Sequence, residues 1–129
     1  ENGILRSKRL LVMGSKKPTV MTRILGVDLN GYTKEESRVE PHKQLLEQIT
    51  ENLSYKSVYK VYEVCTYYSD PKNPEETKFQ QNLKLSICDN YLTSFLESYC
   101  IDVFKKNASI GLSVMEELCL SLKLKENIQ

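Results

Sequence analysis

Apolar and polar positions along the chain recur mostly at helical spacing. The stretch Ser54 to Tyr68, SYKSVYKVYEVCTYY, sets Lys56, Lys60, Glu63 and Tyr67 on one helical face, with Val58, Val61, Tyr62 and Cys65 opposite. Val, Tyr, Cys and Thr favour strands. As a strand, however, the run alternates badly, with apolar pairs split by a polar residue, so the pattern predicts a helix. Upstream, Ser37 to Glu40 has capping-box spacing and Pro41 suits a first turn. Leu45, Leu46, Ile49 and Leu53 then repeat at helical spacing and predict a second helix. Downstream, Ser86 is placed to cap a third helix, along which Cys88, Tyr91, Leu92, Phe95, Leu96 and Tyr99 form a stripe opposite Asp89, Asn90, Thr93, Ser94 and Glu97.

Between these helices SDPKNPEETKFQQN, with two prolines and many charges, predicts a long exposed loop. After them CIDVFKK and SIGLSV alternate at Ile101/Val103 and Ile110/Leu112/Val114, and Asn-Ala-Ser between them reads as a hairpin turn. The final run MEELCLSLKL fits a helix through Met115, Leu118, Cys119 and Leu122, or a strand through Leu118, Leu120, Leu122 and Leu124. At the other end, Leu10 to Met13 form a strand or short helix and Pro18 opens a short helix, PTVMTRILG, closed by Gly26 and Asn30-Gly31. Residues 33–39 are polar and predict a loop. Helix, helix, loop, helix, hairpin is the order of a winged helix. The expected fold is therefore α+β, mainly helical: a winged-helix domain over residues 40–125, preceded by a basic N-terminal arm and short helix over residues 1–39.

Composition narrows the function. The 129 residues fit one domain with a core of its own, and 40% hydrophobic with 27% charged residues is ordinary for a globular chain. A net charge of +1 excludes a uniformly basic surface. The charge is unevenly placed: Arg6, Lys8, Arg9, Lys16, Lys17 and Arg23 make the first 23 residues basic, while Leu85 to Phe104 holds only Asp89, Glu97 and Asp102. Cys65, Cys88, Cys100 and Cys119 are scattered among apolar neighbours without a C-x-x-C pair, and His42 is the single histidine. That spacing argues against zinc and for free thiols in a reducing compartment. There is no signal-peptide pattern, no apolar run near the roughly 18 residues of a membrane span, and no initiating methionine, so an intracellular fragment of a longer protein is expected. With one histidine and no convergent carboxylates or thiols, neither catalysis nor a cofactor is expected.

The stretch EPHKQLLEQITENLSYKSVYKVYEVC, with Val58-Tyr59-Lys60-Val61-Tyr62-Glu63-Val64-Cys65 at its end, resembles the winged-helix start of the origin-recognition and cell-division-cycle initiator ATPases. LSICDNYLTSFLESYCIDVF is similar to that family's recognition helix and first wing strand, and SIGLSVMEEL to its second wing strand and final helix. The resemblance spans about residues 40–124. Gly14-Ser15-Lys16-Lys17 lacks the first glycine and spacing of a phosphate loop. The recognition-helix counterpart has no Lys or Arg to meet DNA, and the wing only Lys105 and Lys106. Those departures resemble the chromatin-silencing branch of the family. The resemblance implies a nuclear homodimerisation module of a heterochromatin protein, bridging nucleosome-bound chains, with other silencing factors or histones met through the full-length protein. Direct DNA contact and membranes play no part in it. The expected partner-binding residues are Leu10 and Leu11, outside the winged-helix core, with Tyr59, Val64 and Tyr67, off the centre of the core face. The alternative is a DNA-binding winged helix of a replication-origin initiator, using the basic arm and wing lysines.

Overall fold

The computed structural model describes residues 3–14, 30–88 and 93–126. They fall into two compact units, Glu1–Thr93 and Ser94–Gln129. The first is an antiparallel sheet of five strands in sequence order: β1 (Leu5–Gly14), β2 (Asn30–Glu40), β3 (Leu45–Asn52), β4 (Tyr59–Ser69) and β5 (Thr77–Ile87), with a 3-10 turn at Pro41–Lys43. The second contains one helix, α1 (Thr93–Glu126), of 34 residues. Among the described residues, the mainly helical winged helix is thus corrected to a meander of five strands and one long helix.

Each correction has a local cause. Ser54 to Tyr68 is a turn leading into β4, and its Val/Tyr/Cys/Thr content prevails over its helical periodicity. Its alternation looks poor because apolar side chains occupy both faces of the strand. The expected helix through Leu45 and Ile49 is β3, where Leu45 and Leu46 point to opposite faces. The expected polar loop at 33–39 lies within β2, whose charges meet partners across the sheet: Lys8–Glu36 at 3.3 Å, Lys34–Glu51 at 2.5 Å, and Arg9 to Glu35. The expected loop after β4 is a turn only through Glu76, and Thr77 onward pairs with β4 along its whole length. Residues Leu10 to Met13 lie in β1, the strand of the two forms left open. The expected hairpin at 100–114 and the ambiguous run at 115–124 are continuous helix. Of the expected third helix, Ser86 and Ile87 belong to β5, 89–92 lie outside the described residues, and α1 takes up the pattern at Thr93. The short helix expected from Pro18 also lies outside the described residues.

Two turns fix the β3–β4–β5 register. Asn52 is buried, its Nδ2 donating to the carbonyls of Ser54 (2.7 Å) and Tyr59 (3.0 Å), while its Oδ1 accepts from the Val61 amide at 2.8 Å. Tyr55, at φ +61°, turns the chain here. At the next turn the buried Asp70 accepts from the Lys72 amide (3.0 Å) and pairs with Lys78 (2.9 Å). These bonds, the amide first, hold its carboxyl below the usual aspartate value.

Candidate functional site

Alternation along five registered strands gives the sheet two chemically different faces. One carries Arg6, Lys8, Lys34, Glu36, Arg38, Glu40, Glu47, Glu51, Lys60, Lys78 and Lys84. Its ion pairs run from Lys8 to Glu36 to Lys34 to Glu51 to Lys56, and separately from Arg38 to Glu40 to Lys43. Hydrogen bonds to these lysines hold the Glu36, Glu40 and Glu51 carboxyls below their ordinary range. Glu40 is held first by Lys43, against a desolvation that pushes the other way.

The opposite face is banded. Leu5, Val39, Leu46, Tyr67 and Phe79 are successive register partners, so a complete apolar row crosses all five strands. Tyr67 and Phe79 are in ring contact, centroids 4.8 Å apart. The row is only half covered: Leu5 is 66% exposed and the other four are intermediate. A cavity of about 210 Å³ opens beside its middle, lined by Val39, Leu46 and Tyr67 with Pro41, Gln44, Leu45 and Thr77 from the sheet's rim. Next to the row lies a polar band of Ser7, Ser37, Gln48, Cys65 and Gln81, then Arg9, Glu35, Thr50 and Glu63. The band pairs largely within itself: Ser7 with Ser37 at 2.6 Å, Arg9 with Glu35 at 2.8 Å and Gln81 to Glu63 at 2.5 Å. Leu83 ends the second of these polar rows on β5, and beyond it apolar groups return as Leu11, Val61, Leu85 and Ile87.

The electrostatics of this face suit apolar cover better than chemistry. Burial, followed by repulsion from Glu63 and Glu35, pushes the Cys65 thiol up to about 11, so it is protonated and a poor nucleophile at neutral pH. Burial likewise raises Tyr67. Among the described residues no group of three or more His, Cys, Asp and Glu is placed to hold a metal ion.

The five residues expected to bind a partner do not come together. Leu11, Tyr59 and Tyr67 stand on the banded face, but Leu10 and Val64 point from the charged one. Sequence reasoning missed Leu5, Val39, Leu46 and Phe79, which with Tyr67 make the row. A period-two signal did exist in β5, where Phe79, Leu83, Leu85 and Ile87 alternate with Lys78, Gln80, Asn82, Lys84 and Ser86. In α1, Cys100 is buried and Ile110, Leu112, Val114, Met115, Leu118, Leu120 and Leu122 are exposed.

A family model described as the PRELI-like family matches residues 1–125. A protein described as slowmo homolog, from Dictyostelium discoideum, is 29% identical over 121 residues, covering 94% of this chain and 53% of the relative. A UPS-like protein of Schizosaccharomyces pombe is 29% identical over 128 residues, covering 95% and 69%. A CRAL-TRIO domain-containing protein of Caenorhabditis elegans is 28% identical over 100 residues, covering 77% of this chain and 14% of the relative. The chain thus spans about half the length of the first of these. A match over nearly the whole chain, together with the strand meander, overturns the initiator-ATPase resemblance. With it fall the chromatin-silencing module and the origin-binding alternative. The nuclear location and the homodimer had no support beyond that resemblance and the sequence pattern.

Proposed function

This chain belongs to the PRELI-like family, and on that premise we propose that it is the lipid-binding part of a lipid-transfer protein. The observation that carries the reading is the apolar row Leu5–Val39–Leu46–Tyr67–Phe79, half covered and opening on a cavity. A row of this kind has one use in water, to be covered, since apolar surface left wet costs about 25 cal/mol per Å². An acyl chain covers it without asking for hydrogen bonds. The cavity of about 210 Å³ is smaller than the roughly 300–1,000 Å³ of drug-sized ligand pockets, so it would take the end of a chain rather than a whole lipid. The polar band is no obstacle, because its side chains largely satisfy one another and need no water to do so. On this reading the domain moves its ligand without transforming it.

Neighbouring residues of one strand provide the test. Tyr67 points from the banded face and Tyr68 from the charged one. The chain would be incubated with mixed-lipid vesicles and re-isolated, and its co-purifying lipid quantified by mass spectrometry. Tyr67→Glu is expected to lose at least about tenfold of the bound lipid, since a carboxylate under an acyl chain is an unpaired buried charge, while Tyr68→Glu retains it. Equal retention by the two, or no lipid on the parent chain, would remove the row from consideration as a lipid site.

A further inference from the structure

The charged face changes character at the end where β1 finishes and β2 begins. Leu10 (62% exposed), Val12 (64%), Tyr32 (48%) and Tyr62 (44%) stand out into solvent there, with Leu53 (42%) just past β3. Val12 and Tyr32 are register partners. The Tyr32 backbone is held at both groups: its amide donates to Ser54 Oγ at 2.9 Å, and its carbonyl accepts from the Leu53 and Ser54 amides at 2.8 and 3.2 Å. Around these side chains are Lys8, Lys34, Lys56, Lys60 and Lys84 against two acids, Glu36 and Glu51. Both acids are already engaged by Lys8, Lys34 and Lys56. Among the described residues, Lys60 and Lys84 form no ion pair.

We propose that this end of the charged face, Leu10, Val12, Tyr32, Tyr62 and the lysines around them, docks the domain on an anionic bilayer surface. Single exposed apolar side chains are ordinary, but here they are clustered and ringed by cations with too few acids. Lysine heads reach anionic headgroups while their stems lie along apolar neighbours. Tyrosines suit the interfacial layer, where a ring is half buried and its hydroxyl stays wet. The patch is separate from the apolar row, which lies on the other side of the sheet, so docking and lipid binding use different residues. The proposal rests on the lipid-transfer reading, because a carrier must touch the bilayers it serves.

The test is flotation of the chain with phosphatidylcholine vesicles, with and without phosphatidylserine, at low and high salt. Binding is expected only to the anionic vesicles and is expected to weaken with salt. Lys60→Glu with Lys84→Glu should lower the partition coefficient by about 25-fold or more, at roughly fivefold per lysine lost. Leu10→Ser with Val12→Ser should lower binding while leaving more of its salt dependence. All four positions are exposed, and circular dichroism verifies that each variant folds. Binding of a soluble fluorescent short-chain lipid, measured without vesicles, reads the apolar row alone and should survive in both double variants. Loss of soluble-lipid binding in the parent chain, with flotation intact, would sink the transfer reading and leave the docking surface standing. Flotation unchanged in both double variants, or retention on polyglutamate but not on anionic vesicles, would overturn the membrane surface, the latter in favour of an acidic protein.

Discussion

Asn52 does at one position what a run of turn residues does elsewhere. Its amide group makes three hydrogen bonds to backbone groups around the β3–β4 connection, and it is buried. Replacing it with alanine leaves the Val61 amide and two carbonyls short of partners. Asn52→Ala is therefore expected to cost about 1–3 kcal/mol, the usual penalty for a stranded buried polar group, read as a lower urea midpoint at unchanged slope. Gln44 and Tyr55 hold a different kind of strain, with φ of +48° and +61°. In this left-handed region a Cβ crowds the following carbonyl, at about 1–2 kcal/mol for an L-residue. Gln44 is exposed at the end of the 3-10 turn, and its amide bonds to the Pro41 carbonyl, which glycine would keep. Gln44→Gly should thus raise stability by up to about 1 kcal/mol, after the entropy glycine adds to the unfolded chain. Tyr55→Gly should gain nothing comparable, because it also removes a ring stacked on Tyr59 at 6.5 Å.

Among the elements, β2 shows most plainly why the strands escaped a reading by periodicity. Lys34, Glu35, Glu36 and Ser37 look like a solvated loop because their partners, Glu51, Arg9, Lys8 and Ser7, lie on other strands. Hydrophobic periodicity reports burial, and a strand held by cross-strand charge pairs has little of it. The same chemistry predicts the domain's response to acid. Glu36, Glu40, Glu51 and Asp70 titrate below their ordinary values in the folded sheet, so on acidification the unfolded chain takes up protons first. Their stabilisation is fully present above the ordinary glutamate value of 4.5 and is lost as pH falls through the lowered ones. The urea midpoint should accordingly be flat near neutrality and drop in acid, and Glu51→Gln should shrink that drop. A midpoint indifferent to acid would mean that the pairs do not hold the strands. In α1 the hidden signal is of another kind. Cys100, Phe104, Ala108, Gly111, Met115, Cys119 and Leu122 recur every three or four residues, and no proline follows Pro74. The hairpin expectation instead weighs the β-branched alternation of Ile101/Val103 and Ile110/Val114, which a helix of this length overrides. Gly111 stands mid-helix with open space where a Cβ would sit. Gly111→Ala should therefore stabilise the helix by about 0.5–1 kcal/mol, visible as a higher thermal midpoint followed at the helical dichroism band. In the hairpin expected from the sequence Gly111 would lie in the second strand, and no helical gain would follow.

For the molecule as a whole, the candidate site was less legible than the elements because it belongs to no single one. Tyr67 is conspicuous in the sequence, but Leu5, Val39, Leu46 and Phe79 join it only through the register of all five strands. Each strand contributes one residue, and although Val39 and Leu46 lie only seven positions apart, the turn at Pro41–Lys43 that makes them partners is not announced by hydrophobic periodicity. A site of this type is a property of topology, and it makes a prediction at the same scale. If an acyl chain covers the row, ligand and fold are linked: a lipid at about 100 times its dissociation constant adds about 2.7 kcal/mol to the stability of the folded state. Leu46 stands in the middle of the row, between Val39 and Tyr67, and is half-buried. A carboxylate there remains partly hydrated in the free protein but loses that hydration beneath a lipid tail. Leu46→Asp should therefore fold with a modest loss of stability and fail to gain thermal stability when a soluble short-chain lipid is added, whereas Leu46→Met should keep most of the gain. A Leu46→Asp chain that still rises with lipid as the parent does would show that the tail lies elsewhere. One in which parent and variant alike ignore the lipid would show that the row is covered by something other than an acyl chain.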